Sequence, residues 1–351
     1  MGKEFRRAVV TGGAGFLGTV ACRMLLEQGT EVVCVDNLLT SINGDPASGW
    51  PAGGESVGSE SVHGEAARGD PGAWGGLDFR RQDVTEPFEV DGPVDLVLHL
   101  ASPASPADYH HYPLRTLEAG SAGTRNAVEL AGRKGARFVL ASTSEVYGDP
   151  EVSPQRERYY GNVDPVGPRS VYDEAKRYAE ALTAAYGRAG RADTAIARIF
   201  NTYGPGMRPG DGRMVPTFAC QALRGEPVTV TGDGTQTRSL CYVTDTVRGL
   251  LLLAASDLSG PVNIGNPDEA SVAEIAARII ALAGSDSPIR HVPLPRGDPQ
   301  VRKPDITLAR AELGFEPLVG WREGLGETLE WFRRAIGVPA PEPARVAEVP
   351  E

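Results

Sequence analysis

Only four cysteines occur among 351 residues, and Cys22, Cys34, Cys220 and Cys241 stand far apart with no C-x-x-C pair. That spacing excludes a disulfide framework and a thiolate zinc site, and it predicts reduced thiols in or near the core with no bound metal. No apolar run reaches the ~18 residues needed to cross a bilayer, so no membrane partner is expected. Met1 leads into a strand-like stretch without a signal-like segment, which predicts a cytoplasmic protein. Basic charge is also short: 46 Asp and Glu against 35 Lys and Arg leave a formal net charge of -11. Such a balance argues against nucleic acid as the main partner. Apolar residues at 41% and charged residues at 23% exclude disorder over most of the chain. At this length two cores are expected, one large and one small.

What is present is an alternation of short apolar runs with amphipathic stretches. Strands are predicted at 8–11, 31–36, 94–100, 137–142 and 194–199, and helices at 17–28, 114–134 and 171–188. That rhythm is the mark of an α/β fold, a doubly wound parallel sheet of Rossmann type. After about residue 201 the rhythm changes to helices at 216–223, 272–283 and 322–336 between Pro- and Gly-rich turns, a smaller and mostly helical C-terminal domain. A short apolar run at 261–265 predicts a return to the first sheet. Residues 1–200 with 240–265 are therefore assigned to one domain, and 201–239 with 266–338 to the other. Residues 41–76, rich in glycine, proline and serine, predict a flexible surface insertion rather than a lid. The Pro, Ala and Glu tail at 339–351 predicts disorder.

The first predicted strand runs into Gly12, Gly15 and Gly18, a G-x-x-G-x-x-G array that opens the first helix and encloses Phe16 and Leu17. A tight turn, an approach of backbone amides to a pyrophosphate at a helix N-terminus, and close helix-to-strand packing each need a glycine there. The second strand ends in Asp36, where a carboxylate can accept from both hydroxyls of an adenine ribose and would repel a 2'-phosphate. NAD is thus expected rather than NADP, and the 1–200 domain is read as its binding domain. Glycines serving only a turn are the plainer alternative.

Tyr172 and Lys176 are four residues apart at the start of a predicted helix, so both fall on one face. A phenol ionises near pH 10, and a neighbouring ammonium makes its phenolate a usable base toward a sugar hydroxyl. A surface Tyr and Lys on an amphipathic helix would show the same spacing. Thr143, ending the strand before them, offers a hydroxyl to orient the same substrate oxygen.

With these residues the chain resembles the extended short-chain dehydrogenase/reductase family of nucleotide-sugar enzymes. Segments 83–88, 99–106, 141–150, 167–170, 198–205, 236–239 and 302–305 resemble one branch of it, the UDP-glucuronate decarboxylases, also known as UDP-xylose synthases. The likeness covers nearly the whole chain except 41–76 and the tail. It implies NAD-dependent oxidation of carbon 4, loss of carbon dioxide from the resulting beta-keto acid, and re-reduction to UDP-xylose; release of the 4-keto pentose before re-reduction stays open as a second outcome. It makes Tyr172 the base, Lys176 the partner of the nicotinamide ribose, and Thr143 the orienting hydroxyl. Glu145, Ser144 and Arg302 serve the carboxylate-bearing carbon. Cofactor contacts are implied for Phe16, Leu17, Asn37, Asp83, Val84, Leu100, Ala101, Ser102, Ala141 and Thr202. The diphosphate and uridine end falls to Asn201, Gln236 and Arg238, types suited to phosphate oxygens. Like its family, the chain is expected to form a homodimer, through the helices holding 117–130 and 179–186.

Several positions depart from that pattern. Glu118-Ala119-Gly120 stands where the family has Lys-Thr-Asn, losing an amide linked to proton relay. Gly206 replaces an arginine, for which Arg208 is a candidate substitute, and Thr231 replaces an aromatic residue. Met214-Val215-Pro216 is closer to related epimerases and dehydratases. Three alternatives follow: a sugar 4,6-dehydratase, which would carry an acid where Ser144 stands; a 4-epimerase, which would lack Glu145; and a non-catalytic NAD-binding scaffold.

Overall fold

The computed structural model describes residues 4–41, 76–294 and 300–339. The expectations for 41–76 and 339–351 therefore lie outside the described residues, apart from Ser41, Gly76 and Pro339.

Six strands come first: β1 (Arg7–Thr11), β2 (Glu31–Asp36), β3 (Leu77–Arg81), β4 (Leu96–His99), β5 (Arg137–Thr143) and β6 (Asp193–Ile199). Threaded among them are α1 (Phe16–Glu27), α2 (Pro106–His111), α3 (Pro113–Glu118), α4 (Thr124–Lys134) and α5 (Ser170–Arg188). Beyond the sixth strand the chain forms β7 (Thr202–Tyr203), α6 (Met214–Leu223), β8 (Val228–Thr231), β9 (Thr237–Ser239), β10 (Cys241–Tyr242), α7 (Val243–Ala255) and β11 (Val262–Ile264). It finishes with β12 (Glu269–Ser271), α8 (Val272–Ala283), β13 (Ile289–Val292), β14 (Val301–Arg302), α9 (Thr307–Leu313) and α10 (Trp321–Ala335).

The main sheet has the order β11-β6-β5-β4-β1-β2-β3, and every pairing in it is parallel. Parallel strands covered on both faces need continuous apolar runs rather than alternation, and β5 is buried at all of its positions. β3 escaped the sequence reading for the opposite reason. It is an edge strand whose Leu77 and Phe79 alone are buried, while Arg80 pairs with Asp78 on its outer side at 2.8 Å.

The helix expected across 114–134 is interrupted. A π-helical turn at Ala119–Gly123 separates α3 from α4, at the point where the chain crosses α5. A Cβ on Gly120 would stand 2.7 Å from the Ala175 Cβ and 2.8 Å from its carbonyl oxygen. Close approach of the two backbones therefore demands glycine here, which accounts for the missing asparagine.

Among the described residues there are two large apolar cores and a small third cluster of Val146, Tyr147 and Phe200, and the sheet itself divides the two large ones. One, with Val97, Phe138 and Leu140 of the sheet, packs against Val128 and Leu130 of α4. The other runs without a break from Ala8, Val10 and Leu98 to Phe218, Ile275 and Phe332 of the C-terminal region. Separate cores for the two domains were the expectation. The structure merges them because α7 and β11 return to the sheet, where Val262 pairs with Ala197 of β6.

Candidate active site

Strand order reverses between β1 and β4, and in open parallel sheets a ligand crevice lies outside the carboxyl ends of the strands at such a point. A cleft of about 880 Å³ opens there. One wall is built from the segments that follow β1, β2, β4 and β5 and from the first turns of α5, and the other from the C-terminal region.

At the β1 end the cleft has the form of a dinucleotide cradle. A Cβ on Gly18 would lie 2.0 Å from the Gly12 carbonyl oxygen, and one on Gly12 would meet the Ala101 amide nitrogen at 2.7 Å. Gly15 is the N-cap of α1 and has no side chain to cap it, so the first amides of the helix face the crevice. Asp36 accepts from the Ala14 amide at 3.0 Å and the Leu38 amide at 2.8 Å, shaping the loop it was expected only to face. Burial raises its carboxyl above the usual range, against those two bonds. Asn37 donates to Asp83 at 3.1 Å, and Phe16, Leu17, Val84, Leu100, Ala101, Ala141 and Thr202 line the same crevice. The Ser102 hydroxyl is buried and has no partner among the described residues. A polar ligand with hydroxyls, amide groups and a diphosphate fits these groups, as NAD does.

Toward the sugar end, α5 brings Tyr172 and Lys176 to the cleft, both nearly buried. The Tyr172 ring stacks on Tyr109 at 5.4 Å, and its hydroxyl is hydrogen-bonded to Thr143. Burial raises the phenol well above its usual value; Thr143 and Arg213 pull it down, while Glu145 pushes it up. Lys176 donates to the Ala141 carbonyl at 2.8 Å, and its nitrogen is 5.9 Å from the Tyr172 ring centre. Burial brings the ammonium down to about 8. His99 is a packing residue: it bonds to Thr11 at 2.7 Å and Thr124 at 3.2 Å, and burial, reinforced by Lys176, lowers it to about 3.

Next to this pair lies a knot of charge. Glu145, on the turn after β5, accepts through one carboxylate oxygen from Arg169 at 2.6 Å and from Arg302 at 3.0 Å. Arg302 is 2% exposed and also donates to the Ser144 carbonyl at 2.7 Å. Burial would raise the Glu145 carboxyl, yet Arg302, Arg169 and the more distant Arg238 hold it below the ordinary value. Glu145 is therefore an anion within a net positive pocket.

All the site residues read from the sequence line this one cleft, including Asn201, Gln236, Arg238 and Ser144. Their duties differ in detail. Gln236 donates to the Thr231 carbonyl at 2.6 Å, Thr202 bonds to the Thr246 hydroxyl at 2.9 Å, and Arg208 is tied to Asp108 at 2.5 Å and to the Thr40 carbonyl at 3.3 Å. Three residues were given no role. Arg169 stands three positions before Tyr172, so helical spacing could have found it. Asp173 is an acid in the first turn of α5, a position acids commonly take, so the sequence alone does not mark it. Arg213, which the fold brings to Tyr172 from a loop before α6, leaves no local signal.

A family model described as the NAD dependent epimerase/dehydratase family matches residues 8–265. UDP-glucuronic acid decarboxylase 6 of Arabidopsis thaliana is 46% identical, over 95% of this chain and 90% of that one. UDP-glucuronic acid decarboxylase 1 of Xenopus tropicalis is 44% identical, over 98% of this chain and 78% of its own length. Among solved structures, a dTDP-glucose 4,6-dehydratase from Streptomyces venezuelae with NAD bound superimposes with a TM-score of 0.78 at 26% identity, covering 94% of this chain and 98% of that one. The cradle, the Tyr172-Lys176 pair and the full-length relatives agree: the chain belongs to the NAD dependent epimerase/dehydratase family, on its UDP-glucuronic acid decarboxylase branch.

Proposed function

We propose that the protein converts UDP-glucuronate to UDP-xylose and carbon dioxide with NAD as a recycled cofactor, and that some UDP-4-keto-pentose escapes. The observation that carries this is the closure of Arg169 and Arg302 on Glu145 beside the Tyr172-Thr143 pair, a positive pocket next to an oxidation site. An acidic sugar meets both at once. Ser144 offers a dehydratase no acid, and its backbone is bound by Arg302.

When bound, NAD supplies a reversible acceptor for the two electrons that leave carbon 4. Gly12, Gly15, Gly18, Asp36, Ser102 and Lys176 are the residues proposed to hold it. Thr143 orients the carbon 4 hydroxyl and Tyr172 removes its proton, a step that Arg213 and the Lys176 ammonium assist by favouring the phenolate. The ketone so formed is beta to the carboxylate, so the electrons of the breaking carbon–carbon bond pass into an enolate. Arg302 and Arg169 position the carboxylate-bearing carbon, Glu145 carries a proton toward it, and Tyr172 returns its own proton to the carbon 4 oxygen. Asn201, Gln236 and Arg238 bind the UDP end.

The proposal keeps the cofactor on residues 1–200 and 240–265 and the sugar nucleotide on 201–239 and 266–338. It also includes a cytoplasmic homodimer. Buried cysteines outside any disulfide among the described residues and the exposed Leu114, Leu117 and Tyr178 on α3 and α5 support it. Among the described residues no helix is long and apolar enough to cross a membrane. Incubation with NAD and UDP-glucuronate should release carbon dioxide, with NADH building up only in the small amount that matches the escaped 4-keto pentose. No carbon dioxide, or NADH in step with it, would refute the reaction, and a monomer by light scattering would refute the dimer.

A further inference from the structure

Decarboxylation consumes one proton that the carbon 4 chemistry cannot supply. The electrons and proton taken from carbon 4 are given back to it. When the bond from carbon 5 to the carboxylate breaks, carbon dioxide leaves and the electron pair enters the enolate. Carbon 5 then gains its hydrogen only if a further proton arrives from solvent. With cofactor and sugar nucleotide filling the main cleft, that proton needs a separate way in.

Behind the site lies a second cavity of about 210 Å³, room for several waters at ~30 Å³ each. Glu145 and Arg169 line both cavities, so this ion pair is the partition between them. On the far side stand Asp149, Asn162 and Asp164, all exposed, which open the chamber to solvent. Between partition and mouth is Asp173, 6% exposed, in the first turn of α5.

We propose that Asp173 is the proton reservoir of the decarboxylation: it takes a proton from solvent through the second cavity and passes it by way of Glu145 to carbon 5. This rests on the reaction proposed above. The groups acting on Asp173 come from three elements besides its own. Burial and Glu145, on the turn after β5, raise its carboxyl; Arg169, before α5, and Arg302, on β14, lower it; Glu174, on α5 itself, raises it. Asp149 and Asp164 add negative charge at the chamber's outer wall. The result is a carboxyl at about 7, able to accept and release a proton at neutral pH. Glu145, held low by its arginines, does not keep a proton and hands it on to the far more basic enolate. Asp173 recovers its proton from water, and the sum is one solvent proton in and one carbon dioxide out.

The test is a single turnover of UDP-glucuronate on the NAD-loaded protein, following carbon dioxide and enzyme-bound NADH across pH. In the wild type the bound NADH should decay more slowly as pH rises through about 7, because the protonated carboxyl is the donor. Asp173→Asn should form NADH and release carbon dioxide as before, yet hold the NADH about a hundredfold longer, the low end of general acid catalysis, and without that pH dependence. Asp173→Glu should restore the decay and its pH profile. An unchanged NADH lifetime in Asp173→Asn, with carbon dioxide released, overturns the relay alone. Equal loss of NADH formation in both variants makes Asp173 a structural residue and also overturns it. A wild type that releases no carbon dioxide overturns the reaction and the relay together.

Discussion

Glu145→Gln removes one negative charge from between two guanidinium groups and changes almost nothing in shape. In the native protein Arg302 is 2% exposed while Glu145 and Arg169 are 17% and 26% exposed, so the Arg302 contact dominates and the Arg169 contact is partly screened. Breaking a fully buried pair costs about 3 to 5 kcal/mol. With the partial exposure and the surviving amide oxygen, a loss of about 2 to 3 kcal/mol is expected. That corresponds to a fall in Tm of roughly 3 to 4 °C for a chain of this length. The pH sign is fixed by the Glu145 carboxyl lying below its ordinary value. Its stabilisation is full above the unfolded value of about 4.3 and is lost as pH falls through the folded one. The Tm gap between variant and wild type should therefore be open at neutral pH and close in acid. In single turnovers the variant should still form NADH and release carbon dioxide, while the return of the hydride from NADH slows by about two to four powers of ten. Equal slowing of NADH formation and hydride return would refute a separate role for Glu145, and a Tm gap independent of pH would refute the ion-pair account.

Tyr172→Phe lacks the hydroxyl that must accept the carbon 4 proton, so NADH formation and carbon dioxide release should vanish together; release without prior NADH would contradict the order of steps. Asp36→Ala deletes the acceptor of the Ala14 and Leu38 amides and should weaken NAD binding by about tenfold or more, near 1.4 kcal/mol, with a lower Tm; calorimetry showing native affinity would count against it. Burial holds Lys176 at about 8, so NADH formation should decline above that pH as the ammonium is lost. Stability moves the other way, rising from about pH 8 toward 10, because the folded value lies below the unfolded one. Gly120→Asn, which installs the family amide, should cost about 1 to 3 kcal/mol through collision with Ala175; an unchanged Tm would show that α5 can yield.

Local pattern carried much of this structure. The glycine array, Asp36 and the Tyr172-Lys176 spacing were legible because each is a short segment whose geometry is set by neighbours in the chain, and β5 was legible because it is buried throughout. β3 was not, since an edge strand with charged residues on its outer side lacks a continuous apolar run. The break at Ala119–Gly123 was hidden because it depends on Ala175, far away in sequence. For the same reason Arg302 could be named beside Glu145 while Arg169 and the ion pair the three share could not, and the chamber at Asp173 could not be read at all.

The placement of β11 has a consequence for how the protein must be made. The strand beside β6 is synthesised only after the whole 201–261 excursion, so a nascent chain that has just completed β6 carries an open sheet edge. Closing that edge also sets Asn263 between Tyr147, which donates to it at 2.8 Å, and the carbonyls of Gln155 and Asp305, each 3.0 Å from its amide nitrogen. A fragment ending near residue 200 would keep every glycine of the cradle, yet leave β6 exposed to any other strand and Tyr147 without its acceptor. A chain cut there therefore lacks one edge strand of the main sheet. Recombining the cofactor half with a foreign sugar-binding half would require exchanging two segments while keeping β11 in the sheet, a constraint that any gene fusion at the apparent domain boundary would violate.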